Sequence, residues 1–318
     1  MHERRAGLAK IGTSPAEEVD FLALRPHTRA KLVSFGKAVA YLLIAAIGML
    51  LVSALAKGVW GANLLEMAQA GLGMGTLRAL LLLIAVVVVP TAVMLAQSRA
   101  PLKLSGWSLD GAPRLAGIGA ATGFGLLTAI AAILWAAGAV RFEVSAPSLS
   151  SAILSCLISI ALWTALAMGE EGLNRGYAFV QVSRAISFWP AAVLSSAWFM
   201  VGHLGNSGET TLGLVATGLI GLALAYSLLR TGSLWFATGF HAAWNFAQSF
   251  VFGFPNSGSE PPASLLLAAP GGTPILTGGT AGPEASILIL PAMVVLVLVI
   301  RRAARTERSA ATWLHRGR

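Results

Sequence analysis

The sequence predicts an all-α, polytopic transmembrane helical bundle of about eight spans, and three observations support this. First, only 11% of the 318 residues are charged and 56% are hydrophobic, whereas soluble domains carry about 25% charged residues. Second, the mean hydropathy is +0.75. Third, the apolar residues form runs close to the length of about 20 residues that crosses the hydrocarbon core of a bilayer. No soluble domain fits between these runs.

Eight apolar runs define the predicted spans. They cover residues 38–56, 77–95, 115–138, 152–180, 191–204, 211–229, 234–252 and 285–300. The fifth run is short, and the fourth exceeds the length of one span, which predicts a tilted helix or one that partly leaves the membrane. In the third run, Gly119 and Gly123 have the GxxxG spacing that permits close packing of helices.

The basic residues predict the orientation. Of the 22 Lys and Arg residues, all but Lys57, Arg78 and Arg141 fall on the side of the two chain ends. Because Lys and Arg are enriched in cytoplasmic segments, both termini are predicted to be cytoplasmic. The predicted regions are a basic N-terminal tail (1–36), a transmembrane bundle (37–300) and a basic C-terminal tail (301–318). Residues 253–283, rich in Gly, Pro and Ser, are predicted to form a flexible outer loop.

Composition also excludes several classes of protein. The net charge is +9, and the basic residues responsible for it fall between the apolar spans. This placement indicates membrane topology and not a nucleic-acid partner. A single cysteine, Cys156, gives no disulfide framework and no Cys-based metal site. The sequence contains no HExxH motif, no GxSxG elbow and no P-loop, which excludes a zincin, a serine hydrolase of that type and a P-loop nucleotidase.

Six polar residues of the fourth, fifth and seventh runs are candidates for a shared site. They are Glu170, Glu171, Arg175, His203, His241 and Asn245. A charged group at hydrocarbon depth costs roughly 2.5–3.5 kcal/mol, so such groups are usually functional. The alternatives are that the charges lie among lipid headgroups and that each histidine is a packed, hydrogen-bonded residue. If all six are buried, they must satisfy one another or line a wet cavity.

Helical spacing separates the roles of the two glutamates. Glu171 and Arg175 are an i, i+4 pair on one face, and so are His241 and Asn245. Glu170 is rotated by about 100° from Glu171, so it faces a different direction. This arrangement suits one carboxylate held by the arginine and a second one free to react.

These residue types support the activation of water. A carboxylate takes a proton from water, a histidine shares or relays it, and donors stabilise the oxyanion. Alternatively, Glu170, His203 and His241 form a three-ligand catalytic Zn²⁺ site with an open position for water. The residues alone leave both mechanisms open.

Three motifs in order carry a family resemblance. "EEGLNR" matches Glu-Glu-x-x-x-Arg, "FMVGH" matches Phe-x-x-x-His, and "HAAWN" matches His-x-x-x-Asn. Together they resemble the CPBP family, which comprises CAAX proteases and bacteriocin-processing (Abi) intramembrane proteases. The matching residues run from Glu170 to Asn245, which puts a CPBP-like catalytic core at about 152–252.

The resemblance implies an endopeptidase that cleaves a membrane-associated peptide or protein inside the lipid bilayer. Glu170 would activate the attacking water with His203 as its partner, while His241 and Asn245 would bind the oxyanion or help to hold a metal. Glu171 and Arg175 would position the site. The compact, Ala- and Gly-rich chain looks bacterial, which predicts the plasma (inner) membrane and argues against a prenylated substrate.

Rival functions remain open at this point. A proton-coupled membrane transporter would also use intramembrane Glu, His and Arg residues, but it favours paired repeats, and the chain shows no convincing internal duplication. A haem or quinone carrier could use two histidines but gives no reason for adjacent glutamates and Asn245. A membrane scaffold would need none of the six residues. The protease is therefore the favoured hypothesis.

Overall fold

The computed structural model describes residues 15–145 and 148–303, with side chains from residue 28 onward. The α-helices are α1 (Pro15–Trp60), α2 (Leu64–Gln69), α3 (Leu72–Leu83), α4 (Val89–Ser98), α5 (Ala112–Ala136), α6 (Leu149–Arg175), α7 (Tyr177–Ile186), α8 (Phe188–Val201), α9 (Thr211–Thr231), α10 (Trp235–Asn245), α11 (Pro274–Thr277) and α12 (Ile289–Ala303). Two strands, β1 (Val140–Val144) and β2 (Leu266–Pro270), pair antiparallel with Val140 opposite Pro270.

The predicted fold class is confirmed, because each predicted span falls on a helix of the bundle. A π-helical segment (Ile84–Val88) joins α3 to α4, and another (Phe246–Val251) extends α10. Within the described ranges, five helical stretches are long and apolar enough to cross a membrane. They are Thr28–Trp60, Leu72–Ser98, Ala112–Ala136, Leu149–Ile186 and Thr211–Thr231. The fifth, seventh and eighth runs form the shorter helices of the bundle.

Two boundaries differ from the sequence prediction. The long fourth run is not one straight helix, because α6 ends at Arg175 and α7 begins after Gly176. At the other end of the chain, α1 already begins at Pro15 and continues into the first span, so most of the predicted N-terminal tail is helical. Residues 1–14 and 304–318 of the two predicted tails lie outside the described residues.

The prediction of a flexible loop at residues 253–283 is wrong in part. This segment contains β2, α11 and a bridged turn between Asn256 and Ser259. The short apolar stretch of β2 pairs with β1, far away in sequence, and Ser145 N–H also donates to the Leu265 carbonyl. Backbone pairing therefore orders a segment whose Gly and Pro content suggested none.

Glycines bring α5 and α10 into backbone contact at the centre of the bundle. A Cβ atom at Gly119 would overlap the Phe236 carbonyl oxygen, and one at Gly123 would overlap the Phe240 carbonyl oxygen. The predicted GxxxG packing is therefore present. Around this contact, the core contains buried side chains such as Leu127, Leu134 and Trp244. The contact fixes the position of α10.

We expect Gly119→Ala to destabilise the protein by about 1–3 kcal/mol, since the added methyl group forces two backbones apart. The control is Gly117→Ala on the same helix, where a Cβ atom meets nothing within 4 Å. Thermal unfolding of both variants in detergent measures the difference. Equal melting temperatures for the two variants would show that the α5–α10 contact is dispensable.

Successive helices run in alternating directions and give the bundle two faces. The chain-end face holds the beginning of α1, the end of α12 and the connections 99–111, 176–187 and 232–234. The far face holds the connections 61–71, 137–148, 202–210 and 252–288. Hydrogen bonds between connections of the same face agree with this division, since Leu234 N–H donates to the Gly106 carbonyl and Ser145 N–H to the Leu265 carbonyl.

Candidate active site

A cavity of about 480 Å³ opens between α3, α6, α8, α9, α10 and the far-face connections. The four residues predicted to be catalytic, Glu170, His203, His241 and Asn245, all line it. The remaining wall combines polar residues of the far-face connections with apolar side chains that include Leu162, Trp163, Leu166, Ile220 and Phe240. The structure thus brings residues from three separate sequence motifs to one cavity.

A buried ion pair lies beneath the cavity. Arg175 Nη1 lies 2.6 Å from Glu171 Oε2, and both side chains are 0% exposed. The Arg175 Nε–H also donates to the Gly221 carbonyl on α9 at 3.3 Å, and the guanidinium lies 5.0 Å from the centre of the Phe199 ring. The predicted i, i+4 pair is therefore present, and Arg175 belongs to the interior of the bundle, not to the headgroup region.

The same Glu171 carboxylate orients His241. Its Oε1 atom accepts a hydrogen bond from His241 Nδ1 at 3.0 Å. Since a carboxylate only accepts, Nδ1 carries the proton, and Nε2 is left to face the cavity. This Nε2 atom lies 3.7 Å from Glu170 Oε2. A continuous line of groups therefore runs from Arg175 through Glu171 and His241 to Glu170.

Glu170 and Glu171 differ sharply in exposure, as helical rotation predicts. The Glu170 side chain is 40% exposed, whereas that of Glu171 is fully buried. Because Glu170 lines the cavity, water can reach its carboxylate near the C-terminal end of α6. One glutamate is held in place and the other is free to meet water.

His203 lies in the turn that follows α8, and the Phe199 carbonyl orients it. Its Nδ1 lies 2.8 Å from that oxygen, so Nδ1–H donates and Nε2 stays unprotonated in the neutral ring. The Phe199 ring also packs against the rings of His203 and His241, with centroids 4.6 Å and 6.4 Å away. His241 Nε2 lies 3.7 Å from Glu170 Oε2, and the role of His203 as the partner of Glu170 in activating water stays a prediction.

The predicted Zn²⁺ site would need Glu170, His203 and His241 to act together as one ligand set. Within 15–145 and 148–303, no three His, Cys, Asp or Glu side chains lie close enough together to hold a metal ion. Asn245, one turn after His241 on α10, also lines the cavity. Its side chain is an amide and not an imidazole, which is a common ligand of Zn²⁺. In this arrangement, Glu170, His203 and His241 share a cavity without forming a closed ligand set.

The sequence analysis missed Glu284, which lines the cavity from the far face. Its Oε1 accepts from the backbone N–H and the hydroxyl of Ser257, and its Oε2 accepts from Gln248 Nε2 at 3.3 Å. Burial raises the pKa of the Glu284 carboxyl above its ordinary value, against the effect of these hydrogen bonds. We call Gln248, Ser257 and Glu284 the loop clamp, because they fasten the 252–288 connection to the bundle. In the sequence, Glu284 stands alone ahead of an apolar run, with no polar partner at a helical spacing that would indicate a functional role.

Arg78 is a second cavity residue that sequence reasoning did not assign to the site. It projects from α3, lines the cavity and is attracted electrostatically to Glu170. Its Nε atom is buried and has no hydrogen-bond partner among the residues that the structure describes. In the sequence, Arg78 is only a basic residue near the start of an apolar run, and this position does not indicate a place in the site.

Comparison with known proteins agrees with the motif analysis. Residues 151–247 match a family model described as Rce1-like, the type II CAAX prenyl endopeptidase Rce1-like family. No curated protein and no solved structure matches the chain. The matched segment contains all three motifs and the helices α6 to α10 that build the cavity, and it lends no support to the transporter alternative. Residues 151–247 are therefore similar to the CAAX protease family, which supports the resemblance that the three motifs carry.

Proposed function

We propose that this protein is an intramembrane endopeptidase that hydrolyses a peptide bond of a membrane-associated substrate. The observation that supports the proposal best is the connected line Arg175–Glu171–His241–Glu170, which ends at an exposed carboxylate in a cavity between apolar helices. Burying such groups is costly, so a structural role alone does not account for them.

Glu170 acts as the general base in the proposed reaction. Its carboxylate takes a proton from a water molecule while the water oxygen attacks the carbonyl carbon of the peptide bond. The C–N bond then breaks as the proton passes to the departing amine. The products are a new carboxylate and a new amino terminus, so all atoms of the water are accounted for.

The other cavity residues stabilise the charge that develops. Glu171 keeps His241 in the tautomer that turns Nε2 toward Glu170, and its charge stabilises the imidazolium when a proton arrives, as in other carboxylate–histidine pairs. The Asn245 amide is proposed to donate to the oxyanion. His203 keeps its predicted role beside the attacking water, through its free Nε2.

Metal assistance remains a separate prediction. If Zn²⁺ is required, Glu170, His203 and His241, which do not form a ligand set in this arrangement, would hold it, and it would polarise the scissile carbonyl and the attacking water. None of the steps above passes through a metal. Chelation of the purified protein, followed by addition of Zn²⁺, tests the requirement through activity and through metal content.

The proposal is tested by comparing the N-termini of membrane proteins in cells that contain either the wild type or Glu170→Gln. We expect new N-termini only with the wild type. Repeating the cleavage with purified protein in ¹⁸O-labelled water should place one ¹⁸O atom in the new carboxyl group, since hydrolysis draws that oxygen from water. Identical sets of N-termini at equal protein levels would contradict the proposal.

A further inference from the structure

We propose that Arg78 selects substrates that carry an acidic side chain, Asp or Glu, close to the scissile peptide bond. This inference rests on the proposed function, because it names the class of substrate for the same site. Arg78 lies on α3, outside the segment 151–247 that matches the family model. Three features of the cavity support the proposal: its charge, the unpaired donor of Arg78 and the space beside it.

The charge of the cavity wall singles out Arg78. It is the one Lys or Arg among the described residues that line the cavity. The other titratable side chains of this wall are three carboxylates and two imidazoles, namely Glu170, Glu260, Glu284, His203 and His241. A guanidinium stays charged at every physiological pH, whereas the carboxylates repel a second carboxylate. A substrate carboxylate in this cavity is therefore stabilised best at Arg78.

The Arg78 side chain has a donor that the protein itself does not use. Its Nε atom is buried and has no hydrogen-bond partner among the described residues. Glu170 attracts it electrostatically, but the two side chains form no salt bridge. A guanidinium presents its N–H donors in a planar fork that fits both oxygens of a carboxylate. Because an unpaired cation in an apolar span is costly, a ligand is expected to complete this group.

The helix face that carries Arg78 leaves space for such a ligand. Gly71 and Gly75 precede Arg78 at helical spacing, so the three positions share one face at the beginning of α3. Side chains on an α-helix lean toward its N-terminus, so Arg78 extends toward these glycines. Both glycines line the cavity, and a Cβ atom at Gly71 would meet nothing within 4 Å. A substrate group can therefore lie beside the guanidinium.

The shape of the cavity favours a side chain over a chain terminus as the source of the carboxylate. The wall continues past Arg78 to Gly71 and Ala68, which belong to the connection 61–71. A bound polypeptide can thus continue beyond Arg78, which places a side chain at the guanidinium. The α6 part of the wall is apolar and contains Leu162, Trp163 and Leu166. An acidic residue flanked by apolar ones matches both parts of the wall.

Peptide binding to the Glu170→Gln variant tests the inference without relying on cleavage. The probe is a fluorescent, Ala- and Leu-rich peptide with one central Glu and an amidated C-terminus, compared with the same peptide carrying Gln. Fluorescence anisotropy in detergent should show that the Glu peptide binds about tenfold to a hundredfold more tightly, as expected for hydrogen bonds to a charged group. Adding Arg78→Met should remove this preference, and adding Arg78→Lys should retain much of it.

Arg141→Met is the matched control, because it removes an equal charge from an exposed position on β1 that does not line the cavity. It should leave the preference for Glu unchanged. Melting temperatures of all variants show whether each one is folded. Equal binding of the Glu and Gln peptides to the Glu170→Gln protein, or no measurable binding of either, would overturn the inference.

A third peptide separates the two sources of a carboxylate. It carries Gln at the centre and a free C-terminus, and it should bind no more tightly than the amidated Gln peptide. Tighter binding of this peptide, without a preference for Glu, would assign Arg78 to a chain terminus and contradict the proposed selection of an acidic side chain.

Cleavage of the same peptides by a protein with Glu170 intact separates this inference from the proposed function. We expect Arg78→Met to raise KM for the Glu peptide far more than for the Gln peptide, with little change in kcat. A similar loss for both peptides would show that Arg78 acts through Glu170 and not on the substrate, which rejects the inference. A preference for Glu that depends on Arg78, in a protein without peptidase activity, would keep the binding site and reject the proposed function.

Discussion

Glu170→Gln is expected to lower turnover by about a hundredfold to ten-thousandfold while the protein stays folded, as is typical when a general base is removed. Glutamine preserves size and hydrogen bonding but lacks the basic oxygen. The Glu170 side chain is 40% exposed and lies 3.7 Å from His241 Nε2, so its replacement breaks no fully buried ion pair. The loss should therefore appear in turnover and not in stability.

Cleavage rates and melting temperatures of the purified variant measure this expectation. Glu143→Gln is the control, because it removes an equal charge from an exposed position on β1, away from the cavity. It should leave both quantities near those of the wild type. A fully active Glu170→Gln protein would exclude Glu170 as the base.

Glu171→Gln is expected to destabilise the protein by roughly 3–5 kcal/mol, the usual cost of breaking a buried ion pair by removing one partner. The Arg175 guanidinium is completely buried and would lose the carboxylate 2.6 Å away. His241 would keep an acceptor, since a glutamine oxygen can replace Glu171 Oε1. The effect should consequently appear as a lower melting temperature, with a smaller change in turnover per folded molecule.

The double variant Glu171→Gln with Arg175→Met tests whether the loss comes from the unpaired charge. Removing both charges should recover part of the stability, because no buried ion is then left without a partner. A double variant that loses as much as both single variants combined would show that the pair is uncoupled. A stable but inactive Glu171→Gln protein, together with an active Glu170→Gln protein, would exchange the roles of the two glutamates.

The features predicted correctly from the sequence are local ones. The length of an apolar run reports whether a helix can cross a membrane, so the spans were recognised although their ends shifted. The spacing of Glu171 and Arg175, four residues apart on one helix, was enough to predict their ion pair. The different environments of Glu170 and Glu171 followed from helical rotation alone.

The features that the sequence did not reveal depend on contacts between distant segments. The pairing of Glu170 with His241 requires a particular rotation of α10 against α6, which no local pattern encodes. The β1–β2 pair and the hydrogen bonds of Glu284 likewise join segments that are distant in sequence, and no local pattern indicates that they are in contact. Arg78 entered the site for the same reason, since α3 packs against α6 across a long separation in sequence.

The loop clamp has a practical consequence for where a tag can be inserted into this protein. Ser257 looks like the middle of a permissive loop, yet it donates two hydrogen bonds to Glu284 and lines the cavity. An epitope placed there would detach the connection that forms part of the cavity wall. Gly61, on the same face, is exposed and a Cβ atom there would meet nothing within 4 Å. Exposed turns with few contacts tolerate insertion best, so Gly61 is the better position for an external tag.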